Sequence, residues 1–336
     1  MAPPRTIAII HNPVSEHSTA DERDVLDQVE EIVDSVGILG YAHTVLPFHS
    51  NLMKLKQTLS EINPYCIFNL VEAVDGDSQL QHMAPAFYDH LRIPYTGATT
   101  DALFITTHKV LAKKWMFMGQ VPTAEWLSLT ENPQVCTPVF PGRYIIKPVS
   151  EEASVGLDAT AIVTVEARKE LMDLVRERQR LLDKACFAER YIEGREFNLS
   201  LLGRPGGVDA MPPAEMNFDY PEGVPKIMDY KAKWVEGTLE YEGTQRTFDL
   251  PATDRDLVTR LQAVAKQCWN LFHLRGYARV DFRVDEHGQP YVLEINANPC
   301  ITSGSGFPVA CEKSGLSYDA MVQRILDDTL KRESLA

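Results

Sequence analysis

In the stretch YVLEINANPC, residues 291–300, the oxygen-bearing side chains of Glu294, Asn296 and Asn298 recur at every second position. Alternate side chains of a strand share a face, so these three would stand in a row. A buried row of that kind is costly unless a charge or a hydrogen-bonding group meets it. Upstream, ARVDFRV (278–284) places Arg279, Asp281 and Arg283 on one face of a second strand, and DEHGQP, with Gly288 and Pro290, reads as the turn between them. Where the two faces coincide, Asp281, Glu294 and Asn296 form an all-oxygen cluster beside Arg279. Hard oxygen ligands suit Mg²⁺, which takes few protein ligands and completes its shell from water and phosphate. The plainer alternative is a solvent-facing hairpin with a fortuitous ion pair, against which Val292, Leu293 and Ile295 are too apolar for an exposed edge.

Other stretches could serve an anion. PCITSGSGFP (299–308) offers two glycines and three hydroxyls, whose backbone N–H groups can form a nest. Lys147 ends the apolar run YIIKP, where it could snorkel to water or reach a phosphate. The loop SEEASVGLD (150–158) carries Ser154 and Gly156, but no G-x-x-x-x-G-K-[ST] exists in the chain, so it is not a P-loop. Lys109 sits on a helix, where a solvated lysine is the default, and KAKW (231–234) adds two lysines in a loop.

The elements that must position these groups read as an α/β chain. TIAIIH (6–11) is a buried-strand pattern, and 21–36 is a helix with Val25, Leu26, Val29, Ile32, Val33 and Val36 on one face and Gly37 as its stop. AHTVLPF, a helix over 51–62, YCIFNLV (65–71) and a helix over 78–91 continue the alternation, which implies a parallel sheet covered on both sides. One helix spans 99–118, and the proline-rich 131–142 is a loop. Short strands follow at RYIIKPV and ATAIVTV, then a charged helix over 166–184, then strands at CFAERYI and EFNLSLLG. A helix over 254–275 runs through Leu257, Leu261, Val264, Cys268 and Leu271, with Thr253 as its cap.

With 336 residues the chain exceeds one simple core, so two or three packed units are expected. A composition 44% hydrophobic and 24% charged is that of a soluble globular protein. The net charge of −14, without a basic block, argues against nucleic acid as partner. Six cysteines (66, 136, 186, 268, 300, 311) are scattered with no C-x-x-C pair, which favours a reducing cytoplasm over a disulfide framework or a zinc site. No stretch is long enough to span a bilayer, and the first apolar run is too short for a signal-peptide core.

Taken in order, IPYTG, HKVLAKKWM, YIIKP, SVG, ERYIEGREFNLSLLG, GYARVDFRVDEHGQPYVLEIN and PCITSGS resemble the ATP-grasp superfamily, and within it the D-alanine–D-alanine ligases. The resemblance covers about residues 64–310 and implies an N-terminal α/β domain (1–103), a central lid (104–186) and a C-terminal catalytic domain (187–336), with ATP clasped between the last two. It further implies phosphate contacts from Lys109, Lys147, Lys233 and the lid residue Ser154. Glu189 and the backbone of Ile192 would meet adenine, Glu196 the ribose, and Phe282 with Leu293 would sandwich the base. Asp281, Glu294 and Asn296 match the Mg²⁺ ligands, with Mn²⁺ able to substitute, while Arg279 matches the group that stabilises the acyl phosphate. Ser305 and Gly306 match the loop that holds the second amino acid, and a homodimer through the N-terminal domain is implied.

The departures from the family cluster around the first amino acid. No glutamate in HNPVSEHSTADER (11–23) falls in a recognisable family motif; the lid serine falls on Ala153, the aromatic hydroxyl on Trp234, and the family's histidine-glycine near Glu72-Ala73. Lost hydroxyl hydrogen bonds are worth roughly 0.5–1.5 kcal/mol each. The expectation is therefore an ADP-forming carboxylate–amine ligase for amino acids or related small carboxylates other than strictly D-alanine, with Glu72 facing a cationic group beside Trp234. The alternatives are a true D-alanine–D-alanine ligase, a small-molecule kinase and a non-catalytic ATP-binding scaffold.

Overall fold

Four apolar residues in β1 (Thr6–His11) are buried on both faces because the strand is central. The computed structural model describes residues 5–16, 18–130, 140–151 and 153–333. β1 pairs in parallel with β2 (Ala42–Pro47) and β3 (Cys66–Leu70), in the order β2-β1-β3. The crossovers are α1 (Ala20–Ile38) and α2 (Leu52–Ile62), as parallel pairing requires. The backbone N–H of Thr19 donates to the Glu22 carboxylate at 2.9 Å and starts α1 with a capping box, worth about 1 kcal/mol. Val25, Val29, Ile32 and Val36 are buried as their spacing predicts, whereas Leu26 is 45% exposed. The helix expected over 78–91 is divided into a 3₁₀ turn (Ser78–Leu80) and α3 (Met83–Leu91).

The helix expected over 99–118 is likewise two: α4 (Thr100–Thr107) and α5 (Lys109–Met118). His108 leaves helical geometry at φ −86° and ψ 90°, and its Nδ1 accepts from the Leu111 N–H at 3.1 Å, capping α5. Both helices pack with the third sheet described below, sharing its core through Ala102, Leu103, Ala112 and Met116.

A second sheet is antiparallel in the order β4-β7-β5-β6, formed by β4 (Trp126–Ser128), β5 (Gly142–Pro148), β6 (Ile162–Val165) and β7 (Cys186–Arg190). α6 (Arg168–Leu182) covers it with Leu171 and Val175. The strand expected over 159–165 begins with a 3₁₀ turn (Ala159–Ala161). The expected loop over 131–142 lies, from 131 to 139, outside the described residues.

The third sheet holds β8 (Arg195–Arg204), β9 (Gly207–Ala210) and β10 (Ala214–Phe218). After α7 (Tyr230–Trp234) and α8 (Leu239–Glu242) come β11 (Thr244–Thr247), α9 (Arg255–Leu271), β12 (Tyr277–Val284) and β13 (Pro290–Asn296). Its path is β11-β10-β8-β12-β13, with β9 on β8. Thr253 does not cap α9: it lies in a 3₁₀ turn (Ala252–Asp254), and Asp254 holds the cap position. α10 (Gly306–Lys313) and α11 (Tyr318–Glu333) close the chain by packing against the first sheet, where Phe307, Met321 and Ile325 share one core with Ile7, Ile32 and Phe68. The first and third sheets also meet backbone to backbone at Gly276 (φ +68°), where a Cβ would stand 2.9 Å from the Cα of Gly97.

Candidate active site

The hairpin forms as its period-two pattern predicts, with Arg279 opposite Asn296 and Asp281 opposite Glu294. A bulge follows, in which Phe282 pairs with Val292 and Leu293 has no partner on β12. Val292 and Ile295 are therefore buried while Leu293 and Glu294 between them are half-buried. Arg279 grips Asp281 from the same strand face through two bonds of 2.8 Å, Nε to Oδ1 and Nη2 to Oδ2. Burial alone would lower the Arg279 pKa, but the Asp281 carboxylate outweighs it and holds the guanidinium charged.

Three lysines from three elements converge here. Lys109 opens α5, and its Nζ stands 3.5 Å from Glu294 while also donating to the Glu151 carbonyl. Lys147 is the penultimate residue of β5, and Lys233 lies on α7 rather than in a loop. Burial opposes ionisation of Glu294, yet the fields of Lys109, Lys233, Lys147 and Arg279 pull its pKa down to about 2. Lys233 is shifted down, by burial and then by Arg279. Counting their neighbours Lys113 and Arg283, six cations face four carboxylates (Glu189, Glu196, Asp281 and Glu294), a positive surplus in a chain of net charge −14. Such a surplus is the signature of a site built for a polyanion.

The donor set fits a hard divalent cation. Two carboxylates and one amide oxygen line one face, and the Asn296 Oδ1 is oriented by the backbone N–H of Asn298 at 3.0 Å. Among the described residues no group of three His, Cys, Asp or Glu is placed to hold a metal ion by itself. Asn298 itself is structural: it accepts from the Tyr277 hydroxyl at 3.0 Å and donates to the Val71 carbonyl at 3.2 Å, tying the loop after β13 to the first sheet.

Two expected base contacts are placed differently. The Phe282 ring points to the opposite face of β12, fully buried in the core that includes α9 residues Leu261 and Cys268, because it alternates with Asp281. Arg283, which sequence reasoning left without a role, takes the site face instead, 3.5 Å from Glu196. The Glu189 carboxylate, 1% exposed, is gripped by Lys113 at 2.7 Å and Lys147 at 2.6 Å. Burial raises the Glu189 pKa, but the two lysines more than reverse this and keep it below the ordinary range. For Glu196, burial prevails over Arg283 and the pKa is raised. Ile192 is half-buried in the 191–194 link between the second and third sheets, outside any ladder.

The loop after β5 reaches over this cluster from the second sheet. Ser154 Oγ donates to the Met228 carbonyl at 2.8 Å, and Trp234 Nε1 donates to the Ala153 carbonyl at 3.2 Å. Ala153 and Ser154 both adopt left-handed backbone, at φ +53° and +62°, which costs each roughly 1 kcal/mol and is offset by these contacts. Ser305 holds the N-cap position of α10 without a side-chain cap bond, and its hydroxyl donates instead to the Cys300 carbonyl at 3.0 Å. A Cβ at Gly306 would meet nothing within 4 Å, so packing does not demand glycine there. Glu72 accepts from Gln28 Nε2 at 3.0 Å, Gln28 also reaches Asp24 at 3.3 Å, and Asp24 accepts from Cys300 Sγ at 3.0 Å.

Sequence reasoning missed Lys113 and Thr123 as well as Arg283. The only signal was Lys113 four residues after Lys109, one helical turn along the same face.

Comparison with known proteins agrees with this architecture. The family model described as "D-ala D-ala ligase C-terminus" matches residues 120–327. A D-alanine–D-alanine ligase of Saccharophagus degradans is 32% identical over 275 residues, 81% of this chain and 81% of that protein. An uncharacterized protein, y4sG, of Sinorhizobium fredii is 30% identical over 268 residues, covering 79% and 75% of the two chains. In fold, the D-alanine–D-alanine ligase of Bacillus anthracis solved with ATP superimposes with a TM-score of 0.72 over 99% of each chain at 20% identity. With a matched region longer than half its length and an ATP-grasp architecture throughout, the chain belongs to the D-alanine–D-alanine ligase family of ATP-grasp ligases.

Proposed function

We propose that the protein is an ADP-forming carboxylate–amine ligase that works through an acyl phosphate and joins an amino acid to another amino acid or small carboxylate, without strict use of D-alanine. The observation that carries the reaction class is the convergence of Lys109, Lys147, Lys233 and Arg279 on Glu294, directly across the ladder from Asp281. A carboxylate does not acylate an amine at neutral pH because oxide is a poor leaving group; transfer of the γ-phosphoryl of ATP converts that oxygen into a good one. The lysines neutralise the polyphosphate, and Arg279 stabilises the charge that develops on the acyl oxygen. Asp281, Glu294 and Asn296 would hold Mg²⁺ or Mn²⁺, which when bound supplies further neutralisation of the phosphate oxygens. Leu293 and Arg283 floor the base and ribose side with Glu196, and Ile192 offers its backbone. Ser154 and its loop close over the phosphates and exclude water that would hydrolyse the acyl phosphate. Ser305 and Gly306 receive the second substrate.

This reading assigns 1–103, 104–186 and 187–336 as N-terminal, lid and catalytic domains, and includes a homodimer in a reducing cytoplasm. The five described cysteines are free thiols, and no helix of the described residues is long and apolar enough to cross a membrane.

Departure from D-alanine is supported by the contacts that replace the family's hydroxyl network. The indole of Trp234 donates to the backbone of Ala153, so neither side chain offers an oxygen to a bound ammonium group. Glu22 is committed to the α1 capping box, and Glu72, held by Gln28, is the carboxylate we assign to a cationic group. ADP release measured across D- and L-amino acids, singly and in pairs, with mass detection of product, tests the proposal. Preferential, efficient formation of D-alanyl-D-alanine would refute the substrate reading, and absence of any amine-dependent ADP release would refute ligation.

A further inference from the structure

We infer that Lys113 is a positioning residue for the nucleotide phosphates, acting through Glu189 on Lys147. The inference rests on the reading above that Lys147 meets the phosphates. Lys113 is a lysine at 1% exposure on a helix that is otherwise half solvated. Its Nζ lies 2.7 Å from Glu189 Oε2, 2.8 Å from Thr123 Oγ1 and 3.1 Å from the Ala124 carbonyl. The other oxygen of Glu189 holds Lys147 at 2.6 Å. Thr123 continues the chain of contacts: its hydroxyl donates to the Val292 carbonyl at 2.9 Å, and Val292 N–H donates to the Pro122 carbonyl at 2.8 Å. Val292 is the residue before the bulge that presents Leu293 and Glu294. The network thus runs without a gap from the lysine of the second sheet to the strand carrying the metal-ligand candidate in the third.

Stability does not explain this arrangement, since well-packed apolar residues would serve a fold at least as well as a buried ion triad. Charge does. Two lysines around one carboxylate leave one positive charge uncancelled, and Lys147, at 15% exposure, is the member open to the cleft. Without Lys113, Glu189 would cancel the charge of Lys147 and draw its ammonium away from an incoming anion. Lys113 therefore keeps the charge of Lys147 available to an anion in the cleft.

Nucleotide affinity separates this from a packing role. Lys113→Met should weaken ATP and ADP binding about tenfold or more, raising the KM for ATP with kcat changed less than about threefold, while adenosine binds as before. Lys113→Met combined with Glu189→Gln should bind ATP more tightly than Lys113→Met alone, because Lys147 regains its uncancelled charge. In a Lys147→Met background, Lys113→Met should add no further loss. Equal ATP affinity of Lys113→Met and the Glu189→Gln pair, or equal loss of adenosine and ATP, would overturn the inference. A Lys147→Met protein that binds ATP like the parent would remove the underlying reading itself, whereas a loss confined to Lys147→Met would overturn only the role of Lys113. The double variant, which buries no unpaired carboxylate, keeps the comparison open should Lys113→Met not fold: affinity near the parent supports the inference, and loss of ATP binding as large as that of Lys147→Met overturns it.

Discussion

Replacing Glu189 by glutamine removes the shared counter-ion of two buried lysines while preserving volume. Lys113 and Glu189 are each 1% exposed and Lys147 is 15% exposed, so solvent screens the triad little. Removing one partner of a buried ion pair typically costs about 3–5 kcal/mol, because the charge left behind is desolvated without compensation. The pH dependence should change sign as well. In the parent chain the folded pKa of Glu189 lies below its ordinary value, so its contribution is complete above about pH 5 and is lost as pH falls through the folded value. Burial works against the charge of Lys147, but Glu189 raises its pKa; that contribution is complete below about pH 10 and fades in alkali. A stability plateau between these limits follows. In the glutamine variant the stranded Lys113, 1% exposed, is desolvated and its pKa falls. The unfolded chain then binds more protons than the folded one, so stability should climb with pH from about 7 to 10. Urea unfolding followed by tryptophan fluorescence at several pH values measures this, because the Trp126 ring lies 5.8 Å from Lys113 Nζ and reports locally. A loss below about 1 kcal/mol, or a loss independent of pH, would show that the triad does not carry the charge balance assigned to it.

Glu294→Gln should lower amine-dependent ADP release by about 100-fold and shift its Mg²⁺ requirement to higher concentration, as expected for a lost metal ligand; unchanged Mg²⁺ dependence would place the ion elsewhere. Arg279→Lys keeps the charge but loses the paired 2.8 Å bonds to Asp281, each charge-assisted and worth about 1.5–3 kcal/mol; kcat should fall at least tenfold with the KM for ATP little changed, and steady-state kinetics decides. Trp234→Phe removes one hydrogen bond to Ala153, worth about 0.5–1.5 kcal/mol, and should speed proteolytic nicking of the 150–158 loop in the presence of nucleotide up to about tenfold. Asn298→Ala deletes a bridge between Tyr277 and Val71 and should cost about 1–3 kcal/mol in thermal unfolding, with the loop of Ser305 loosened as a slower ligation step.

The hairpin was legible because a two-residue period survives in any sequence that buries one strand face. Its bulge was not: one extra residue, Leu293, leaves the composition unchanged and is seen only in the register. Phe282 illustrates a different loss, since the alternation that aligns Arg279, Asp281 and Arg283 already sends position 282 to the other face; the resemblance drew it into the site against that pattern. The division at His108 was hidden because an imidazole ring supplies the cap that aspartate or serine would advertise. Lys113 was hidden because a lysine on a helix reads as solvated, and only tertiary structure reveals the carboxylate of β7 that pulls it inside. Asn298 proved to be a tie between sheets, which no local pattern encodes.

The contact between Gly97 and Gly276 divides the molecule's surface into two kinds of target. With a Cα 2.9 Å from where a side chain would begin, and a single oily interior continuing from Ile7 to Ile325, that seam comes apart only when the protein unfolds. In the proposed reading, reactant traffic falls to the four-stranded sheet, which the chain joins to the remainder through the short spans 119–125 and 191–194. A compound that staples Ala153 to Trp234 should trap nucleotide and act as a slow-release inhibitor, whereas one wedged at the glycine seam should send the chain to proteases.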